Sequence, residues 1–141
     1  MTGFGGNSKL HIGDPDAGGV YVGLSATTGK PLHAAFTDAG CLTLDEAYAA
    51  AAEMRKLPGR ESAHVPTLAE LSKNLFDNKD KGKLSGTFNT SGEYPASYYR
   101  SSTMYKPNTW GLGFCPSVDG FSDRDQCFIG LYDRAPVRLV W

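Results

Sequence analysis

Thr43-Leu44-Asp45-Glu46-Ala47-Tyr48-Ala49-Ala50-Ala51-Ala52-Glu53-Met54-Arg55-Lys56-Leu57-Pro58-Gly59 is the most regular stretch of the chain. Thr43 stands three residues before Glu46, the spacing at which each side chain satisfies the other residue's backbone N–H. Strong helix formers follow, and Pro58-Gly59 supplies the stop. Its inward stripe is read as Leu44, Ala47, Tyr48, Ala51, Met54 and Leu57, at three-and-four spacing. Upstream, Val20-Tyr21-Val22-Gly23-Leu24 and Leu32 to Phe36 read as two extended pieces around a Thr28-Gly29-Lys30-Pro31 turn, a hairpin. Downstream, Pro66 precedes a second capping box, Thr67 with Glu70, which opens a short helix through Phe76. Asp77 to Gly86 is charged and glycine-containing and reads as a solvated loop. Short extended pieces then follow at Ser97–Ser102, Thr109–Phe114, Phe128–Leu131 and Pro136–Trp141. Two early helices and a late run of short strands predict an α+β domain.

The 141 residues suit one domain, divided as an arm over 1–12 and a single folded unit over 13–141. Seventeen glycines and eight prolines favour turns over long helices. A net charge of −1 lacks the basic excess of a phosphate-neutralising surface, so no nucleic-acid partner is expected. No apolar run is long enough to span a bilayer, so no membrane insertion is expected. The N-terminal residues carry no secretory signal; work outside a cell would require a precursor, another export route or lysis. Gly-rich arms fray unless held, which makes the arm a candidate contact with a partner chain.

Few motifs point to catalysis. Gly23 to Pro31 has glycines one residue too far apart for a phosphate loop, and Pro31 stands where a hydroxyl is needed. His11, His33 and His64 lie in an arm, a strand and a loop, and no serine carries an elbow motif. Asp119, Asp123 and Asp125 share one loop, which suits turn geometry better than paired catalytic carboxylates. No catalytic residue, metal ligand or cofactor is therefore assigned. Cys41, Cys115 and Cys127 lack zinc-ligand spacing. Cys115 and Cys127 flank one loop and either close it as a disulfide or remain thiols.

Of the 16 aromatic residues, 11 lie in the last 54 positions, 88–141. Tyr99, Trp110, Phe114 and Phe128 are read as core. Tyr105, Phe121 and Tyr132 remain for loops, where binding groups are commonly displayed. Tyr105-Lys106-Pro107-Asn108 combines stacking, charge and hydrogen-bonding groups with fixed backbone geometry.

Gly13-Asp14-Pro15, Gly18-Gly19-Val20 and Gly23-Leu24-Ser25 occur ahead of the first helix. Val65-Pro66-Thr67 with Glu70-Leu71, Tyr99 with Ser101-Ser102, and Thr109-Trp110 follow it. Phe114 with Asp119-Gly120 and the terminal Val137-Arg138-Leu139-Val140 complete the series. In this order, over residues 13–141, the strings resemble the C-terminal domain family of the Legionella collagen-like adhesin, which is similar to the C-type-lectin-like fold. Ala63-His64 and Tyr99-Arg100 stand where that family has tryptophan-containing pairs, so Arg100 is available to a partner in this reading. Lys106-Pro107-Asn108 puts a cation where calcium-dependent lectins have a metal ligand. The superfamily includes the formylglycine-generating oxidase, whose cysteine pair has no match here, and phage-tail receptor-binding proteins.

The resemblance implies a lectin-like α+β domain with a long-loop region over residues 100–134. It implies a non-enzymatic attachment module on a virion or an adhesin, binding a glycan or protein of a host surface as a homo-oligomer. Its ligand-binding residues would be Arg100, Tyr105, Lys106, Asn108, Asp119, Phe121, Asp123 and Arg124. A decoration or connector protein that binds other virion or adhesin subunits is the alternative, with a formylglycine-type oxidase behind it. Either of the first two implies an extracellular or virion-surface location.

Overall fold

A computed structural model of the chain describes residues 10–91, 96–105, 108–114 and 126–141. Strands β1 (Pro15–Asp16), β2 (Gly19–Leu24) and β3 (Pro31–Ala34) form one antiparallel sheet. Val20 faces Ala34 and Leu24 faces Pro31, so the expected hairpin forms, with a register shift between Tyr21 and Leu24. Ala17 and Gly18 both take positive φ, as a tight two-residue turn requires.

Helix α1 (Leu44–Met54) starts at a reciprocal box: the Glu46 N–H donates to Thr43 Oγ1 at 3.3 Å, and the Thr43 N–H donates to Glu46 Oε1 at 3.0 Å. It buries Leu44, Ala47 and Ala51. Ala47 and Ala51 belong to a small core with Val65, Val137 and Leu139, against which Met54 also packs. The predicted stripe was too wide. Tyr48 is 44% exposed because the small partner cluster accepts only the alanine side of the helix, and Leu57 lies past its end at Arg55.

The second box also forms. The Glu70 N–H donates to Thr67 Oγ1 at 3.1 Å, and the Thr67 N–H donates to Glu70 Oε1 at 3.0 Å. From here α2 (Glu70–Phe76) is wound as a π-helix, with Leu71, Leu75 and Phe76 in the main core. Its Asn74 is buried and ties the helix to the irregular part of the hairpin. The amide donates to the carbonyls of Val22 and Leu24 at 2.8 and 2.9 Å and its oxygen accepts the Ala26 N–H at 2.9 Å. The expected solvated loop after α2 contains a short 3-10 turn, Gly82–Leu84, and there the reading needs correction: Leu84 is fully buried in the main core.

Strand β4 (Gly40–Leu42) has no sequence signal of its own. It pairs with β8 (Ala135–Val137), Cys41 facing Pro136. Strands β5 (Tyr98–Tyr105), β6 (Asn108–Gly113) and β7 (Gln126–Ile129) make the third antiparallel sheet, in that order. The final segment returns beside the hairpin. His33 and Trp141 exchange N–H···O bonds at 2.6 and 2.8 Å, and Val140 bridges both Ala34 and His64. Two helices and three small antiparallel sheets among the described residues make the architecture α+β.

Candidate functional site: an exposed aromatic face

Side chains two apart on a strand share a face. Leu112 lies opposite both Tyr99 and Gln126, and Trp110 lies opposite Phe128, so one face of the third sheet carries all five residues. Its inner end is core: Tyr99 and Leu112 are fully buried, with the Phe114 ring 4.6 Å from Tyr99. At the other end burial is incomplete. Phe128 and Tyr105 stack at 4.7 Å, and Trp110 sits 4.5 Å from Phe128 and 5.6 Å from Tyr105. Tyr105 is 56% and Phe128 45% exposed, and Trp110 is partly buried. Contiguous exposed rings of this kind mark an interaction site more often than chance surface.

Beside the rings lies a groove of about 520 Å³. One wall is Thr67 to Lys73, the other Thr103 of β5 and Gln126 of β7, with Thr27 of the hairpin loop at the end. Hydrogen bonds hold the walls together. Leu68 N–H donates to Thr103 Oγ1 at 2.8 Å, Ser102 N–H donates to the Pro66 carbonyl at 2.8 Å, and the Thr27 and Thr67 hydroxyls meet at 2.6 Å.

The residues proposed from sequence are distributed unevenly. Tyr105 is exposed, but as the last residue of β5 rather than on a loop. Asn108 faces it as the first residue of β6 and lines a shallow depression with Gly130, Leu131, Tyr132 and Asp133. Arg100 must be corrected: it is fully buried and cannot face a partner. Its guanidinium donates to Thr109 Oγ1 and to the carbonyls of Gly130 and Asp133 at 2.8, 2.9 and 2.5 Å, holding the 130–133 turn onto the sheet. Lys106, Asp119, Phe121, Asp123 and Arg124 lie outside the described residues, as does Cys115 and therefore its pairing with Cys127. Phe128, read as core, is instead 45% exposed, and Trp110, read as core, is partly buried beside it. Strand alternation assigns side chains to a face without telling how far along it the burial reaches.

Two polar clusters arise that no motif announces. Ser25, His64 and Glu70 converge: Ser25 Oγ donates to Glu70 Oε2 at 2.6 Å and His64 Nε2 contacts Glu70 Oε1 at 2.9 Å. His64 Nδ1 meets the Ser62 carbonyl at 2.8 Å, so both ring nitrogens face acceptors. The bond to Glu70 raises the His64 pKa against the opposing effect of burial. Burial pushes Glu70 up, but the bonds from His64, Ser25 and the Thr67 N–H together hold its carboxyl below the ordinary value. The Ser25 oxygen also accepts the N–H groups of Thr27 and Thr28 at 3.0 and 3.1 Å, and the residue is buried. These bonds make the cluster a clasp between hairpin and α2.

Arg138 is the second cluster's centre, fully buried. It pairs with Asp38 at 2.9 Å, donates to the Thr87 carbonyl at 2.7 Å and lies 4.1 Å from the Phe88 ring centre. Tyr99 completes the network by donating to Asp38 at 2.8 Å; burial raises its pKa.

Among the described residues no three His, Cys, Asp or Glu side chains come together as a metal site. No helix among them is long and apolar enough to cross a membrane. In comparisons with known proteins, no family model and no curated sequence matches the chain.

Proposed function

We propose that this domain is a non-enzymatic recognition module that attaches an adhesin or a virion to a glycan or protein of a host surface. The carrying observation is the Tyr105–Trp110–Phe128 cluster: three mutually packed rings at the outer end of a sheet face, two of them, Tyr105 and Phe128, about half exposed. Aromatic faces bind the apolar sides of sugar rings or protein side chains, with well-placed aromatic contacts adding about 0.5–1.5 kcal/mol beyond area burial. The return of residues 139–141 beside the hairpin, with one helix packed on each core, supports a C-type-lectin-like fold and the resemblance to the Legionella adhesin domain. A single site of this size binds weakly, so a homo-oligomer at an extracellular or virion surface would gain strength through multivalency.

Glycan-array and host-extract binding, with and without a chelator, tests this. Binding lost in Tyr105→Ser at unchanged melting temperature is expected. Silence on every glycan and extract would sink the proposal, and chelator-sensitive binding would point to a metal-mediated mode instead.

A further inference from the structure

Resting on the recognition reading above, we propose that the groove beside the aromatic face is a second subsite that binds a carboxylate-bearing sugar of the same chain whose neighbour stacks on the rings. The two regions are continuous. Gln126 and Thr103 line the groove, and each stands two residues from a ring of the cluster, Phe128 and Tyr105, or about 7 Å along its strand. An oligosaccharide lying along the sheet meets both.

The lining is mainly apolar surface edged by hydrogen-bonding groups, a mix that can hold a sugar ring. The bonded Thr27 and Thr67 hydroxyls retain one hydrogen and spare lone pairs between them, and Gln126 offers both donor and acceptor from an exposed carboxamide. Leu68 and Ala69 give the apolar surface that a sugar ring face requires. Lys73 supplies the sign. Among the described residues it is the one charged side chain lining the groove and no carboxylate pairs with it, and nearby Glu70 is committed to His64, Ser25 and Thr67. An ammonium at the edge of a polyol site favours a sugar acid over its neutral counterpart, because the bond it donates is charge-assisted.

The test is calorimetric titration of the full chain with an oligogalacturonate and with the same oligomer after its carboxyls are reduced to alcohols. The wild type is expected to bind the acid about tenfold or more tightly than the neutral oligomer. The preference should shrink in high salt and vanish in Lys73→Gln, while Lys73→Arg keeps it. Lys73 is exposed, so both variants should fold, which a melting curve checks. Equal binding of the two oligomers, or a preference that survives Lys73→Gln, overturns the inference while leaving the aromatic reading intact. Binding of neither oligomer overturns the inference, while the recognition reading falls only with silence on the arrays and extracts.

Discussion

Arg138 shows how much one side chain can carry without sequence warning. In Val137-Arg138-Leu139-Val140 it looks like the polar member of an alternating strand, yet it is fully buried between Asp38, Thr87 and Phe88. Arg100 is buried in the same way, against carbonyls 30 or more residues away in sequence. Charged residues are rarely buried, and no local pattern states that distant acceptors will converge on one, so neither site was legible. Arg138→Ala takes the donor from the Thr87 carbonyl and from Asp38, which is partly exposed and keeps its Tyr99 bond; chemical denaturation should show a loss of about 1–3 kcal/mol. The Ser25–His64–Glu70 clasp gives a pH signature. His64 has its pKa raised above the ordinary 6.5, so its contribution is complete below that pH and fades as pH climbs through the raised value. Glu70 is held below 4.5, so its contribution is present above that pH and fades as pH falls through the depressed value. The clasp is therefore strongest between those two ordinary values. His64→Gln should destabilise the protein most near about pH 5.5 and least near about pH 9, read from denaturation midpoints. A cost independent of pH would contradict the clasp.

At the scale of elements, local chemistry was readable and long-range pairing was not. Both helix starts were legible because a capping box is complete within four residues, and both boxes close as expected. Thr43→Ala should cost about 1 kcal/mol in a thermal or urea melt. The β4–β8 pair escaped reading because its three-residue strands lie about 95 positions apart and carry no alternation. The burial of Leu84 escaped because the charges around it dominate the pattern, while the turn that buries it depends on a backbone contact with Gly13. Gly82 has φ +49°, and a Cβ there would lie 2.8 Å from Gly13 backbone carbons, beside the Lys83 N–H bond to the Gly13 carbonyl. Gly82→Ala should thus destabilise by more than about 1 kcal/mol, both from strain and from loss of the close approach. A neutral result would show that this turn can open without cost.

For the whole molecule, α+β class followed from the order of helices and strands, but the division of aromatics between core and surface did not. Period-two alternation puts Tyr99, Leu112, Trp110 and Phe128 on one face of the sheet without saying how far along it the core reaches. Along that face burial falls from Leu112, fully buried, through the partly buried Trp110 to the exposed Phe128 and Tyr105, three rings in mutual contact. Part of the late aromatic excess is therefore core, and part forms a surface whose value lies in what it contacts. The measurement that tests this most directly compares the wild type with a Tyr105→Ser/Phe128→Ser double variant on glycan arrays and host-cell extracts, at matched folding. Cross-strand pairs of this kind are each worth about 0.2–1 kcal/mol, so the variant should stay folded. The account predicts a bound wild type and a loss of about tenfold or more in the variant. Equal binding by the two proteins, or no binding by the wild type to any of these surfaces, would contradict it.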